Sequence, residues 1–294
     1  MTNETISNDV STLAPPLLES VDLPSEKRIG LIEKGLWIKY PLAQDLMNFL
    51  EDLDNQPRRP RMMGRALVGP TGNGKTSIIQ QFIQYQLKKQ NLDSNCKKYL
   101  YVPMPPNPTI KTLYIRILSA CNFEIIRGTA EELWQKVLRG LNDLGVRMIF
   151  IDEIHNLLNS QNDRVLSQCR DVLKDISNSL MIPIVLIGTE KAEAVLKSDQ
   201  QVLSRYPIIR LNQWKNNKAF RQLLSTFERG IRLRNPSHLE QPEIANRIYE
   251  ISEGIIGGVA EIVTGCAIEA IKNGTEQITL ELINTLHSSN FSRF

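Results

Sequence analysis

Gly69-Pro70-Thr71-Gly72-Asn73-Gly74-Lys75-Thr76 has the spacing G-x-x-x-x-G-K-[ST], and residues of these types in this order fold backbone N–H groups around phosphate oxygens. The glycines permit the inward turn, Lys75 reaches the β- and γ-phosphates, and the Thr76 hydroxyl is placed to coordinate Mg2+. Ser77 continues into a helix whose positive dipole end faces the same anion. A nucleoside triphosphate is the expected ligand, with ATP and Mg2+ as cofactors. The alternative is a glycine-rich strand-to-helix turn with an incidental lysine, and the strand-loop-helix context of the motif speaks against it.

A second motif, Met148-Ile149-Phe150-Ile151-Asp152-Glu153, reads as a buried parallel strand that carries two carboxylates at its C-terminal end, the end that faces the ligand crevice in open α/β sheets. Asp152 would hold Mg2+ through water, and Glu153 would polarise the attacking water. The alternative is that both acids cap the following helix. Thr189, after the apolar run Ile184 to Ile187, places a hydroxyl at the rim of the same crevice as a γ-phosphate sensor, or else serves as a helix N-cap. Arg205, in Gln200-Gln201-Val202-Leu203-Ser204-Arg205-Tyr206, is either a solvated arginine or a finger that neutralises phosphate charge in a neighbouring subunit. The catalytic candidates are therefore Lys75, Glu153, Thr189 and Arg205, and the metal candidates are Thr76 and Asp152.

The elements that must position these groups alternate along the chain. A strand at Ala66 to Val68 precedes the phosphate loop; strands at Tyr99 to Met104, Met148 to Ile151 and Pro183 to Ile187 alternate with helices at Ile110 to Ala120, Thr129 to Leu144 and Arg164 to Asn178. This order implies an α/β fold, a parallel sheet covered by helices on both faces. After a short apolar segment, Ile208 to Leu211, the pattern is helical to Phe294, punctuated by Gly254, Gly257, Gly258 and Gly274. The expected organisation is a flexible tail over residues 1 to 24, an α/β ATP-binding domain over 25 to 211, and a helical lid over 212 to 294. Residues 25 to 64 open the middle domain as a helical segment bent at Trp37-Ile38-Lys39-Tyr40-Pro41.

Composition narrows the partners. Thirty-five Lys+Arg against thirty-two Asp+Glu leave a net charge of +3, so contact with nucleic acid must come from a local patch. The four cysteines lie far apart with no C-x-x-C pair, which argues against zinc and disulfides and for a reducing cytoplasm. No apolar run approaches the roughly 20 residues that span a bilayer, so no membrane partner is expected.

Taken in order, Trp37-Ile38-x-Tyr40-Pro41, Arg61-Met62, GPTGNGKT, MIFIDEIHNLL, VLIGTEKAEAVL, QVLSRY and SEGIIGG resemble the TniB/TnsC family of AAA+ transposition regulators, most of all the TnsC-type proteins of CRISPR-associated transposons. The resemblance runs from Ile29 to the C-terminus and implies a P-loop AAA+ domain of three α/β/α layers with a small helical lid. It also implies an ATP-dependent protein that self-assembles as a helical filament on duplex DNA, links a target-selection protein to the transposase, and disassembles on hydrolysis. In such proteins Trp37, Ile38, Tyr40 and Pro41 would line the adenine pocket, Arg205 would act across the subunit interface, and Lys111 and Thr129 would face DNA. An ammonium and a hydroxyl at two helix starts can both reach phosphate oxygens without reading sequence; taken alone, Lys111 is a surface lysine and Thr129 an N-cap. Arg58, Arg59 and Arg61 form a second candidate DNA surface or a solvated linker. One departure stands out: relatives often carry an arginine in the lid where this chain has Gly258, with Arg247 a candidate substitute, so hydrolysis is expected to be slow or dependent on a partner. Two alternatives remain, a nucleotide-gated interaction scaffold and a helicase-loader-like protein not dedicated to transposition.

Overall fold

Successive side chains of a strand point to opposite faces, and in this chain both faces are apolar, which forces a helical layer onto each side of the sheet. In a computed structural model, which describes residues 22–35, 37–123, 127–159, 163–197 and 200–291, the chain divides into two units. One runs from Leu42 to Gln213; the other combines the residues up to Pro41 with Trp214 onward.

The elements leading into and through the first unit are α1 (Ser25–Glu33), α2 (Pro41–Asn55), β1 (Arg65–Val68), α3 (Lys75–Lys89), β2 (Tyr99–Pro103), α4 (Ile110–Ala120), α5 (Ala130–Asp143) and β3 (Met148–Asp152). A 3-10 turn (Ile154–Asn159) then precedes α6 (Asp163–Leu180), β4 (Ile184–Gly188), α7 (Ala192–Lys197), α8 (Gln200–Arg205) and β5 (Ile208–Arg210). The strands form one sheet in the order β2-β3-β4-β1-β5, and every pairing is parallel. Ala66, Val68, Ile149, Ile151, Ile184 and Leu186 join the core with Leu113, Ile117, Val137 and Ile176 of α4, α5 and α6. On the other face Phe82 of α3, fully buried, meets Tyr99 and Phe150 edge-on at 5.8 Å each, a geometry that adds about 0.5–1.5 kcal/mol per pair beyond burial. The sheet is thus the middle of three layers, and the chain has the P-loop α/β fold.

Two details of register matter for function. Val68 pairs with Gly188, so β1 and β4 end level and their following loops start side by side. Helices α4 and α5 run in the same direction: the rings of Tyr114 and Trp134, near their starts, lie 5.6 Å apart. Toward their ends, a Cβ added at Gly140 would sit 3.0 Å from the Phe123 ring and 4.0 Å from Leu118.

The second unit holds α1, α9 (Lys218–Ile231), α10 (Pro242–Ser252), α11 (Ile256–Lys272) and α12 (Leu280–Phe291). Residues 25 to 41, expected to open the α/β domain, group here with the C-terminal helices. An ion pair across most of the chain joins them: the buried Arg28 guanidinium donates to Glu276 Oε1 and Oε2 at 2.6 and 2.9 Å and to the Arg232 carbonyl at 3.2 Å. Arg28 and the Arg234 backbone amide hold the Glu276 carboxyl below the usual range for a glutamate, Arg28 being the larger cause. The expected tail lies outside the described residues except for residues 22 to 24. Among the described residues no helix is long and apolar enough to cross a membrane.

Candidate functional site

The phosphate loop is built by close approach. Gly69 passes so near the Leu211 carbonyl that a Cβ there would lie 2.3 Å from its oxygen, and Gly74 enters α3 at φ +83°, a conformation that costs glycine little. Asn73, expected among the nucleotide-binding residues, has its side-chain amide engaged within the protein. It donates to the carbonyls of Leu211 and Asn212 at 2.8 and 2.9 Å and ties the loop to the segment after β5. Lys75 is 8% exposed, and its Nζ donates to the carbonyls of Gly69 and Pro70 at 2.7 Å each. Burial lowers its pKa from the lysine value, with Asp152, Glu153 and Glu190 acting in the opposite sense. Its two carbonyl acceptors are groups that phosphate oxygens can replace.

Asp152 is buried at the end of β3. Its Oδ2 accepts from Thr76 Oγ1 at 2.7 Å and from the Tyr101 hydroxyl at 2.6 Å, and its Oδ1 accepts from the Glu153 amide at 2.7 Å. The carboxylate therefore faces the phosphate-loop helix and does not cap the turn that follows. Burial first, and the Asp152 carboxylate second, push the Tyr101 phenol well above its ordinary pKa, so it stays a donor. A hydroxyl and a carboxylate oxygen at this spacing suit a hard cation. Among the described residues no cluster of three or more His, Cys, Asp or Glu could hold a metal; Mg2+ is commonly bound by one or two protein oxygens together with phosphates and water.

Glu153 adopts φ +57°, the left-handed region that bulky residues rarely occupy and that often marks a functional position. Its side chain is half-exposed, with Oε2 3.1 Å from His155 Nε2. Thr189 follows β4 beside the phosphate loop. Its hydroxyl caps no helix: Oγ1 is buried without a hydrogen-bond partner, while its amide donates to His155 Nδ1 at 3.4 Å. A buried polar atom left unpaired in this way calls for an explanation such as an absent ligand or water.

Of the two readings of Arg205, a solvated arginine and a finger in a neighbouring subunit, its burial removes the first. Arg205 is 7% exposed and donates to Asn178 Oδ1 at 2.9 Å and to the Lys174 carbonyl at 3.4 Å, both on α6. A role in a neighbour's site would require exchanging these partners for phosphate. Arg205→Ala should destabilise the subunit by about 1–3 kcal/mol, because the hydrogen bonds of a charged donor are lost, and this should appear as a lower melting temperature without nucleotide. If the arginine also acts in a neighbour's site, mixing Arg205→Ala with Lys75→Ala protomers should restore part of the turnover that each lacks; mixtures that recover none would leave Arg205 a purely structural residue.

Lys111 and Thr129 are exposed and lie at the same end of the parallel pair α4 and α5. Thr129 is an N-cap: its Oγ1 accepts from the Glu132 amide at 3.2 Å and its amide donates to Glu132 Oε2 at 2.8 Å, which leaves the hydroxyl proton free to donate. Arg58, Arg59 and Arg61 are all exposed, and Arg58 also donates to the carbonyls of Arg147 and Met181 at 3.1 and 3.2 Å.

In the helical unit, Ile38 packs on α9, where a Cβ added at Gly230 would lie 3.1 Å from it. Tyr40 stands edge-on to Trp214 at 5.4 Å, and burial raises its phenol to about 12. Gly258 lies under Ser252, which a Cβ would approach to 3.3 Å. Arg247 is bound to Asn284 Oδ1 at 2.7 Å and Glu250 Oε2 at 3.1 Å. Neither position presents a free lid arginine.

The sequence reading missed Tyr101 and His155. The spacing D-E-x-H, in a chain with three histidines, was the available signal for His155; nothing in an alternating strand marked Tyr101.

No curated protein sequence matches the chain. Among solved structures, the ORC2 protein of Aeropyrum pernix in ADPNP–ADP complexes is 19% identical with a TM-score of 0.57, over 89% of this chain and 68% of its own. The ORC1 protein of the same organism in complex with DNA is 15% identical with a TM-score of 0.59, over 84% and 64%. CDC6P from Pyrobaculum aerophilum is 18% identical with a TM-score of 0.55, over 84% and 67%. This chain spans about two thirds of their lengths, and at such identities the likeness establishes the fold, that of the AAA+ proteins. The family model described as "Bacterial TniB protein" matches residues 28–216, more than half of the chain. With its phosphate loop, its acidic strand end and this match, the chain belongs to the bacterial TniB family and is a TniB/TnsC-type AAA+ protein.

Proposed function

We propose that this protein hydrolyses ATP slowly or on contact with a partner, assembles as a filament on duplex DNA in its ATP-bound form, and regulates transposition by linking a target-selection protein to a transposase. The observation that carries the ATPase reading is the convergence, at the ends of three neighbouring strands, of Lys75 and Thr76, of Asp152 and Glu153, and of the unpaired hydroxyl of Thr189. Lys75 would exchange two loop carbonyls for phosphate oxygens. Thr76 and Asp152 would hold Mg2+, which when bound neutralises charge on the phosphates. Thr189 would donate to the γ-phosphate, and Glu153 would accept a proton from the attacking water. Trp37, Ile38, Tyr40 and Pro41 are retained as adenine-contacting residues on the strength of the family resemblance.

Two features support DNA binding. The ORC1 protein, which shares this fold, was solved with DNA, and the parallel pair α4 and α5 carries an exposed ammonium and an exposed hydroxyl at one end. The test is electron microscopy with duplex DNA and a non-hydrolysable ATP analogue, in which helical arrays that need both ligands are expected. Nucleotide-dependent particles that ignore DNA would favour the scaffold reading, to which Gly258 and the engaged Arg247 already lend weight. Lys111→Ala with Thr129→Ala should weaken binding about equally on unrelated sequences, because phosphate contacts carry no base readout. It should also shallow the log–log salt dependence by about one unit per protomer for the lost lysine, with analogue affinity preserved. Because Thr129 also caps α5, a Lys111→Ala single variant showing the same change in slope separates contact from helix fraying. Parental affinity and slope in the double variant would move the DNA surface elsewhere, with the exposed Arg58, Arg59 and Arg61 next.

A further inference from the structure

His155 joins two groups that the proposed reaction uses on different strands. Its Nε2 lies 3.1 Å from Glu153 Oε2, and its Nδ1 accepts from the Thr189 amide at 3.4 Å. An amide N–H can only donate, so Nδ1 carries no proton and the ring proton sits on Nε2, directed at the Glu153 carboxylate. Two further observations bear on this chain of groups. Gly188 ends β4 under the ring: a Cβ there would lie 2.8 Å from Ala192 Cβ, 3.0 Å from Ile154 Cγ2 and 3.5 Å from His155 Nδ1, so a larger residue would push the turn off the strand. The residue whose amide binds the ring, Thr189, is also the one whose hydroxyl is buried without a partner.

We infer that His155 is a positioning residue that couples the occupancy of Thr189 to the aim of Glu153, an inference that rests on the ATPase reading above. One carboxylate oxygen of Glu153 is held by the ring, and the other is left to accept from water. A phosphate oxygen taken up by the Thr189 hydroxyl shifts the Thr189 backbone, the shift passes through Nδ1 to the ring, and Nε2 carries it to Glu153. The base is thereby set when a γ-phosphate is present, in a chain whose lid has glycine at position 258.

The test uses the full chain with His155→Phe, which keeps the ring's shape without its nitrogens, and His155→Gln, whose amide offers one donor and one acceptor at a similar separation. His155→Phe should lower kcat by about 10- to 100-fold, the scale of a misplaced reacting group, while KM and analogue affinity stay near parental; His155→Gln should recover part of the loss. A second readout does not depend on turnover. With three histidines in the chain, the ring 15N signals of His155 can be assigned by substitution, and binding of a non-hydrolysable ATP analogue should shift them in the parental protein but not in Thr189→Ala. Parental kcat in His155→Phe, or a ring signal that the analogue leaves unmoved, overturns the coupling. If the parental protein is no faster than Glu153→Gln, the ATPase reading fails instead, and the ring signal still decides whether Thr189 and His155 are linked.

Discussion

Lys75→Ala should lose ATP affinity by about 30- to several-thousand-fold, the roughly 2–5 kcal/mol that follows when one partner of a desolvated charge pair is removed. In the parental loop the ammonium is already buried and carbonyl-bound, so little of the interaction with phosphate is spent on ordering the side chain. Calorimetry with an ATP analogue reads the loss directly, and parental affinity would remove the phosphate loop from the nucleotide site. The same burial predicts an opposite effect on the free protein. Because burial lowers the pKa of Lys75, the fold disfavours its charged form, and this penalty applies at neutral pH and fades as pH rises toward the ordinary lysine value near 10.4. Lys75→Met, which keeps the length and drops the charge, should therefore melt no lower than the parent at pH 7 without nucleotide, and its advantage should shrink in alkaline buffer. A clear drop in melting temperature would mean that the two carbonyl bonds outweigh desolvation.

Glu153→Gln should bind ATP and Mg2+ like the parent and turn over about 10²- to 10⁴-fold more slowly, the range ascribed to a positioned general base. The amide preserves shape while losing basicity, and the left-handed backbone at this residue asks the same of either side chain. Single-turnover hydrolysis with excess protein separates chemistry from product release. On the filament reading, arrays on DNA should persist longer in this variant, since the step that disassembles them is slowed. Equal single-turnover rates would strike Glu153 from the catalytic residues.

Local pattern carried most of the architecture. The helix expected over Ile110 to Ala120 forms over those residues, the one expected over Thr129 to Leu144 forms with these two residues as its caps, and the acidic strand ends on Asp152 as its apolar run implied. Such elements are legible because periodicity and capping are short-range. What escaped depends on contacts distant in sequence. Arg28 reads as an ordinary charge in an amphipathic stretch until Glu276 is brought to it. Arg205, which its residue type left open between a solvated side chain and a finger for a neighbour, is buried and donates to Asn178 and to the Lys174 carbonyl. The short helices α7 and α8 hold too few residues for a period to show. At the site, residue types identified Lys75, Thr76, Asp152 and Glu153, whereas the partners Tyr101 and His155 became visible only when β2, β3 and β4 were laid side by side.

The tie between Asn73 and the residues after β5 links two events that look unrelated. Strand β5 is an edge strand paired through three residues, the kind of element expected to open locally well before a domain unfolds. Gly69 packs on the Leu211 carbonyl and Asn73 is hydrogen-bonded to Leu211 and Asn212, so when this edge frays the phosphate loop loses its backing. Ligand binding and edge fraying then draw on one equilibrium: a nucleotide that needs the intact loop slows amide exchange across Ile208–Arg210 without touching it, and a partner that grips this edge raises or lowers nucleotide affinity by the same free energy, because linkage is reciprocal.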